Sequence, residues 1–365
     1  MKTKAQIIFL LILICILGCN TKTSNDNWSS FGKNPQNTGY HNGDAPEKLT
    51  ELKWKFKPES YIYASPSISD GVVFFGNWDN YFYAVDIKTG QEKWKFNTEH
   101  WIKSSATFAN GLVFFGSYDF YFYAVDVKTG QEKWKFKTNA YVESSPTISN
   151  GMIFFGSFDN NLYALDIKTG QERWKFKTKY TIKSSPAVAN DIVFIGSNDN
   201  YLYAVDIKTG QERWKFKTKG SVMSSPAIAN NVVFIGSNDN YLYAVDIQTG
   251  QEKWKFKTGD WIVSSPAVTN EMVLFGSNDN YLYALDIKTG QEKWRFKTKA
   301  RVKSSPAVAD GLVFFGSNDS HLYAVDIKTG QKKWKFKTEN KISSSPAVSR
   351  GMIFFGSGDN MYAIK

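Results

Sequence analysis

The acidic side chains best suited to acid–base chemistry recur as equivalent copies along the chain. An aspartate is the third residue of an eleven-residue stretch, AVDIKTGQEKW at residues 84–94, which returns nearly unchanged every 40 residues and places Asp at 86, 126, 166, 206, 246, 286 and 326. A catalytic site is a single asymmetric arrangement of groups, and seven equivalent aspartates do not provide one. Because Asp readily hydrogen-bonds to nearby backbone, we predict that these residues cap turns.

The histidines and the turn oxygens do not form a metal-binding or nucleophilic pattern. His41, His100 and His321 are scattered at spacings that fit neither metal ligands nor a catalytic triad, which predicts polar surface positions for them. The GSNDN turns, as at residues 196–200, have oxygens that could touch calcium but lack the ligand spacing of a calcium loop. We therefore expect no metal site.

Both cysteines lie in an N-terminal targeting segment. Lys2 and Lys4 precede an apolar run over residues 7–17, too short to span a bilayer, and the segment ends at Cys19. It resembles a bacterial lipoprotein signal with its lipobox, and the resemblance implies that residues 1–18 are removed and that Cys19 is diacylated. An ordinary secretory signal is the alternative. No cysteine follows Cys19, so a disulfide and a thiolate nucleophile are not expected beyond it.

A polar tether over residues 20–27 and a turn-rich segment over residues 28–40 follow Cys19. We call residues 28–40 the lead-in segment and expect it to pack against the folded domain; a partner-binding peptide is the weaker interpretation. We assign residues 19–48 to the lipidated Cys, tether and lead-in segment, and residues 49–365 to the domain.

The domain is organised by a tryptophan that recurs every 40 residues, and a fixed period of about this length indicates a repeat architecture. Its members are Trp54, Trp94, Trp134, Trp174, Trp214, Trp254, Trp294 and Trp334. Within one repeat we predict strands over residues 102–108, 112–116, 121–125 and 132–136, with turns at the Asn-Gly and Thr-Gly pairs. Four short antiparallel strands per repeat, without helical periodicity, predict an all-β propeller with one blade per repeat.

The two ends of the domain predict a closed ring of eight blades. The last repeat has sequence for three strands, and a stray strand over residues 52–57 precedes the first complete repeat. If this N-terminal strand completes the last blade, no sheet edge is left unpaired at the junction.

The motif AxDxxTGxxxW, present seven times, resembles the docking motif of the pyrroloquinoline-quinone (PQQ) type propellers. The resemblance covers residues 52–365 and implies that each of the eight tryptophans stacks on a neighbouring turn, with Gly90, Gly130, Gly170, Gly210, Gly250, Gly290 and Gly330 as the turn glycines. That family includes quinoprotein dehydrogenases, which hold PQQ and calcium at the ring centre. It also includes a non-enzymatic, acylated eight-bladed subunit of the outer-membrane β-barrel assembly machinery. The lipobox, tether and single ring resemble the second kind.

The formal net charge of +11 is explained by the repeat. Lysines alternate with Trp and Phe in the fourth strand of each copy, and Lys on an edge strand discourages aggregation between sheets. We therefore expect no nucleic-acid partner, although a basic perimeter would favour nearby anionic lipid or lipopolysaccharide.

The copies differ mainly at two connections, which an up-and-down blade places on one face of the ring. Exposed aromatic and basic groups gathered on such a face are typical of a recognition site. The hypothesis is that this face contacts an extended peptide or partner protein through Tyr61, Trp78, Trp101, Tyr118, Tyr141, Phe158, Arg301 and Lys341. Drift between recent copies, with the rings merely covering the lead-in segment, is the alternative.

These observations predict a non-catalytic, lipid-anchored monomeric scaffold in the bacterial cell envelope that binds envelope proteins, with a role in outer-membrane β-barrel assembly as the finer expectation. It would lie at the periplasmic face of the outer membrane in a cell with two membranes, and otherwise on the outer face of the cell membrane. No cofactor is expected. The alternatives are a PQQ- and calcium-dependent dehydrogenase and a glycan- or ligand-binding surface lipoprotein.

Overall fold

The computed structural model describes residues 27–365, so the predicted signal (residues 1–18) and Cys19 lie outside the described residues. Within the described part of the chain, no helix has the length and apolar character needed to cross a membrane. The strands are β1 (Tyr40–His41), β2 (Leu52–Phe56), β3 (Ser67–Ser69), β4 (Val72–Gly76), β5 (Tyr81–Asp86), β6 (Glu92–Asn97), β7 (Thr107–Ala109), β8 (Leu112–Gly116), β9 (Tyr121–Asp126), β10 (Glu132–Lys137), β11 (Thr147–Ser149), β12 (Met152–Gly156), β13 (Asn161–Asp166), β14 (Glu172–Lys177), β15 (Ala187–Ala189), β16 (Ile192–Gly196), β17 (Tyr201–Asp206), β18 (Glu212–Lys217), β19 (Ala227–Ala229), β20 (Val232–Gly236), β21 (Tyr241–Asp246), β22 (Glu252–Lys257), β23 (Ala267–Val268), β24 (Met272–Gly276), β25 (Tyr281–Asp286), β26 (Glu292–Lys297), β27 (Ala307–Ala309), β28 (Leu312–Ser317), β29 (His321–Asp326), β30 (Lys332–Lys337), β31 (Ala347–Ser349), β32 (Met352–Ser357) and β33 (Asn360–Ile364).

The strands form eight antiparallel sheets arranged as the blades of a propeller, which confirms the predicted fold. Blades one to seven are β3–β6, β7–β10, β11–β14, β15–β18, β19–β22, β23–β26 and β27–β30. The eighth sheet has the order β2-β33-β32-β31, and β1 adds a short parallel strand to the seventh.

The N-terminal strand closes the ring as predicted. β2 pairs antiparallel with β33, placing Leu52 opposite Ile364 and Phe56 opposite Met361. The backbone N–H groups of Thr50 and Glu51 both donate to the carbonyl of Lys365, so the seam is hydrogen-bonded beyond the strands themselves.

The innermost strand of each blade is shorter than the sequence predicts. In the second blade the prediction covered residues 102–108, whereas β7 spans Thr107–Ala109. The preceding residues hydrogen-bond elsewhere: Ile102 N–H donates to the Asn77 carbonyl of the first blade, and Ser105 N–H to the Ser145 hydroxyl of the third. Bonds between blades have replaced the predicted bonds within the blade.

A ring of serine hydroxyls connects all eight innermost segments. The backbone N–H of each serine donates to the hydroxyl oxygen of its counterpart in the next blade over 2.9–3.1 Å, and the last donates back to the first. Its members are Ser65, Ser105, Ser145, Ser185, Ser225, Ser265, Ser305 and Ser345. The cycle therefore links each innermost segment to the next around the centre of the ring.

The lead-in segment lies across one end of the central channel. Its carbonyl oxygens accept hydrogen bonds from the innermost strands of five blades, at Ile68, Val188, Ile228, Val268 and Val308. Asn37, only 2% exposed, also donates its side-chain amide to the carbonyls of Pro186 and Pro226. The prediction of a surface position for His41 is wrong, because β1 carries that ring to a buried position beside Trp28.

Apolar side chains between neighbouring blades form the core. In the first three blades the contact is between stacked phenyl rings, with Phe82 and Phe115 centroids 4.0 Å apart and Phe122 and Phe155 centroids 4.1 Å apart. Every one of these rings is fully buried, so each blade is held mainly by its neighbours.

Candidate binding surface

The two variable connections lie side by side on one face of the ring, which we call the rim face. Backbone N–H groups after the second strand donate to the residue that leads into the innermost strand: Trp78 to Tyr61, Tyr118 to Trp101 and Phe158 to Tyr141, over 2.9–3.1 Å. Side chains at both positions therefore share one surface. The pairing of the two connections is as expected from the blade topology.

Six of the predicted contact residues form one continuous aromatic sector across blades one to three: Tyr61, Trp78, Trp101, Tyr118, Tyr141 and Phe158. Trp78 stacks on Trp101 with centroids 4.3 Å apart and planes 6° apart, and Tyr118 stacks on Tyr141 at 4.5 Å. Edge and tilted contacts join the remaining rings. Each stack crosses a blade boundary, so the sector is rigid.

Members of the aromatic sector differ in exposure. Tyr61 is 49% exposed and Tyr141 36%, whereas Tyr118 is only 6% exposed and supports the rings around it. The lead-in segment contacts strand residues seven positions beyond the rim, near the other end of the channel. The hydrogen bonds of the lead-in segment thus lie away from the aromatic sector, which favours the recognition hypothesis over a covering role.

Lys103 and Glu143 form a charged pair beside the aromatic sector, where the central channel opens on the rim face. This pair was not predicted from the sequence. The Lys103 ammonium lies 5.2 Å from the Trp78 ring centroid, 5.0 Å from that of Tyr118 and 3.9 Å from a Glu143 carboxylate oxygen. The Tyr118 hydroxyl donates to the same carboxylate. Burial, together with the Glu143 charge, raises the pKa of Tyr118 well above its usual range. The sequence holds a signal for Glu143, which is the one acidic residue among the eight equivalent positions of the repeat.

Further residues of the rim face extend the aromatic surface. His100 lies edge-on to Trp101 at 5.0 Å. Tyr180, 63% exposed, and Trp261, 49% exposed, stand apart on blades four and six and were absent from the sequence hypothesis. The aromatic surface is thus broader than the sector predicted.

The basic residues predicted at the rim lie on blades seven and eight. Arg301 and Lys341 are exposed, and Lys303 is half-buried between them. Burial, followed by repulsion from Arg301 and Lys341, lowers the pKa of Lys303 below its usual value. Within residues 27–365, no carboxylate forms an ion pair with any of the three, so this part of the channel mouth is strongly cationic.

Seven of the eight repeated tryptophans lie on the glycine turn of the next blade. A Cβ built at any of the seven turn glycines would lie 2.6–2.8 Å from an indole ring, so the rings press directly on the turn backbone. The pairs are Trp54 on Gly90, Trp94 on Gly130, Trp134 on Gly170, Trp174 on Gly210, Trp214 on Gly250, Trp254 on Gly290 and Trp294 on Gly330. Trp54 takes its place among them although its own repeat lacks the preceding Asp and Thr-Gly.

The docked rings are also hydrogen-bonded to the next blade, with one exception. Six of the ring N–H groups donate to the backbone carbonyl 33 residues further along the chain, over 2.9–3.2 Å; the donors are Trp54, Trp94, Trp174, Trp214, Trp254 and Trp294. The buried ring N–H of Trp134 has no acceptor among residues 27–365, although its ring packs on Gly170 like the others. The stacking contact is therefore common to all seven, whereas the hydrogen bond is not.

The glycine dock implied for Trp334 is wrong. The eighth blade has no Thr-Gly turn between its third and fourth strands, because β33 and β2 come from distant parts of the chain. Trp334 is nevertheless buried, and it donates its ring N–H to the carbonyl of Pro46 in the segment before β2. That segment takes the place of the missing turn.

The repeated aspartates cap the turns, as the sequence predicts. Asp86 accepts the backbone N–H groups of Lys88 and Thr89 over 2.9 and 3.0 Å, and the other copies repeat the pattern. In the fourth blade the Arg213 guanidinium, 2.7 Å from the Asp206 carboxylate, holds the pKa of Asp206 well below its usual range. These carboxylates therefore stabilise the turns in which they lie.

One position of each blade, two residues after the one that leads into the innermost strand, bears on a quinone with calcium at the ring centre. It carries a carboxylate in one blade only, at Glu143, which accepts a hydrogen bond from Tyr118 and pairs with Lys103. The other seven positions are Tyr63, Lys103, Lys183, Met223, Val263, Lys303 and Ser343. Calcium takes about six to eight oxygen ligands, largely carboxylates and carbonyls. No group of three or more His, Cys, Asp or Glu side chains suited to a metal ion lies in the described part of the chain.

Comparisons with known proteins give the same architecture. The family model described as outer membrane protein assembly factor BamB matches residues 98–181, 161–260 and 254–365. BamB from Moraxella catarrhalis is 15% identical, with a TM-score of 0.74, over 86% of this chain and 97% of that chain. The chain matches no curated protein sequence.

Other solved structures share the fold. Quinohemoprotein alcohol dehydrogenase ADHIIG from Pseudomonas putida HK5 has a TM-score of 0.82 at 15% identity, over 93% of this chain and 80% of that chain. The computationally designed Ika8 protein has a TM-score of 0.76 at 21% identity, over 87% of this chain and 99% of that chain. These likenesses concern the fold and leave activity open.

Proposed function

Because this chain belongs to the PQQ-like propeller family of outer membrane protein assembly factor BamB, we propose that it is a non-catalytic scaffold that binds a partner protein through its rim face. Its setting would be the bacterial cell envelope, with Cys19 as the lipid anchor. In its finer form the proposal places the scaffold in outer-membrane β-barrel protein assembly. The aromatic sector is the observation that carries the proposal.

The geometry of the aromatic sector suits protein recognition. Exposed rings at Tyr61 and Tyr141 rest on buried or stacked neighbours, so little side-chain freedom is lost when a partner covers them. Binding energy in protein interfaces concentrates in such rigid aromatic anchors. The blade cores and the turns repeat around the ring, whereas this sector occurs only once, as a specific contact requires.

The partner-binding proposal is tested by removing two rings of the aromatic sector, the half-buried Trp101 and the exposed Tyr141. In the double variant Trp101→Ala/Tyr141→Ala we expect partners crosslinked in native membranes to be lost, at an unchanged melting temperature within a few degrees. The double variant Tyr180→Ala/Trp261→Ala is the matched control, because it removes two exposed rings of the same face outside the sector. Retention of every partner by the first variant would refute the proposal.

The anchoring proposal has its own test. Mass spectrometry of the mature N-terminus from native membranes should find a diacylated Cys19, and Cys19→Ser should release the protein from the membrane fraction. Cys15→Ser is the control, since that residue lies in the part expected to be removed. An unmodified N-terminus at another residue would favour an ordinary secretory signal.

A further inference from the structure

At one junction between blades on the rim face, the aromatic ring that would complete a stack is absent. In the first two blades, the residue after the second strand places its ring flat on the leading residue of the next blade, as Trp78 does on Trp101 and Tyr118 on Tyr141. Tyr61 is the leading residue that follows the eighth blade. Its partner would therefore come from position 358, which is Gly.

The turn of the eighth blade is also shorter than its counterparts. Strands β32 and β33 are joined by Gly358 and Asp359 alone, with Ser357 opposite Asn360, whereas residues 318–320 form the equivalent connection in the seventh blade. Gly358 has φ +58°, a left-handed conformation that favours glycine. A Cβ at Gly358 would lie 2.4 Å from the side-chain nitrogen of Asn340, so this short turn carries no ring over Tyr61.

A pocket lies between the eighth and first blades. Its volume is about 360 Å³, within the range of small-ligand pockets, and Tyr61, Tyr63, Asn340, Lys341 and Ser343 are among its lining residues. The Tyr61 ring meets Trp78 edge-on and Tyr63 at a tilt, so one of its faces remains available for stacking.

The charge around the pocket is positive. Lys341 lines it, and Lys303 and Arg301 lie next to Lys341 without an ion-pair partner in residues 27–365. The carboxylate in the lining, Glu339, is 3.2 Å from the Lys55 ammonium of the closing strand. An anionic group entering beside Tyr61 would therefore meet Lys341, which forms no ion pair within residues 27–365.

We propose that this pocket binds a protein segment in which an aromatic side chain adjoins a carboxylate. The aromatic ring stacks on the exposed face of Tyr61 inside the pocket, and the carboxylate pairs with Lys341. This inference rests on the proposed partner-binding function and names the chemistry that one part of the rim face recognises. The carboxylate belongs either to a chain end or to an acidic residue beside the aromatic one.

The test measures fluorescence anisotropy of three labelled peptides with the full chain. One peptide ends in Gly-Ser-Gly-Phe with a free carboxylate, the second is its amide, and the third is an amidated peptide with Phe-Asp in its interior. We expect the amide without Asp to bind at least about tenfold more weakly than a carboxylate peptide. Preference for the first or third peptide identifies the source of the carboxylate.

Variants connect the binding to the pocket. Tyr61→Ala and Lys341→Gln should each weaken binding of the preferred peptide about tenfold, whereas the exposed controls Tyr180→Ala and Lys219→Gln should leave it unchanged. No saturable binding, equal binding of all three peptides, or unaltered binding by both pocket variants would overturn the inference. Loss of native partners in Trp101→Ala/Tyr141→Ala would then still support the broader function, so the two failures are distinguishable.

Discussion

Docking of tryptophan on glycine can be separated from backbone strain by comparing two glycines of the second blade. Gly130 and Gly111 both have positive φ, 72° and 77°, so replacing either by Ala carries a similar backbone cost of about 1–2 kcal/mol. Their surroundings differ. A Cβ at Gly130 would lie 2.8 Å from the Trp94 ring, whereas a Cβ at Gly111 meets nothing within 4 Å.

The difference predicts the extra cost of Gly130→Ala. Trp94 must move away from its turn, which strains its hydrogen bond to the Val127 carbonyl, 3.2 Å long, and overpacks the blade junction. Overpacking of this kind costs about 1–3 kcal/mol. At roughly 2 °C per kcal/mol for a domain of this size, Gly130→Ala should lower Tm by about 2–6 °C more than Gly111→Ala.

Thermal unfolding followed by circular dichroism measures the effect, and the same two glycine variants in a second background, Trp94→Ala, test the reasoning. In Trp94→Ala the ring is gone, so Gly130→Ala should cost no more than Gly111→Ala does there. Equal Tm losses for the two glycine variants in the native background would show that the indoles do not lock neighbouring blades.

Three further outcomes are expected. The pKa of Asp206 is lowered in the folded state, so the contribution of its carboxylate to stability is present above about pH 4 and is lost as pH falls towards the folded pKa. The Tm difference between the native chain and Asp206→Asn should therefore shrink between pH 6 and pH 3. A constant difference would contradict this expectation. Asn37→Gly removes two buried hydrogen bonds, and glycine tolerates the positive φ of 52° at this position. This variant should lower Tm by several degrees and speed proteolysis of the lead-in segment, whereas Gln36→Ala, which removes one longer hydrogen bond, should have a smaller effect. Equal effects of the two variants would argue against this role of Asn37. Added PQQ and calcium should leave no bound chromophore after gel filtration and no dye reduction with alcohols, and a retained quinone spectrum would favour the dehydrogenase alternative.

Features that repeat along the chain could be predicted from the sequence. The 40-residue spacing of Trp54 to Trp334 indicates the number of modules, and the stray strand over residues 52–57 indicates how the ring closes. Asp86 as a turn cap is equally local, since its partners are two and three residues away. Local preference and period were sufficient for these predictions.

Features that depend on contacts between blades were missed. Ser105 repeats with the same period as the tryptophans, but a hydroxyl bound to a residue 40 positions away leaves no local signal. Polarity alone predicts a surface position for His41, and it does not reveal that β1 pairs with the innermost strand of the seventh blade. The pocket beside Tyr61 depends on a one-residue shortening near Gly358, which becomes meaningful only when the first and last blades are adjacent.

The composite eighth blade has a consequence for the order of folding. Blades one to seven can form from contiguous stretches of chain, so their hairpins can assemble as soon as they have been synthesised. The pairing of Leu52 with Ile364 joins residues far apart in sequence, and such non-local closure is characteristically slow. Until it occurs, β2 and β33 each present a bare edge to other chains, so the interval before closure is when the nascent protein is most prone to aggregation and in greatest need of a chaperone.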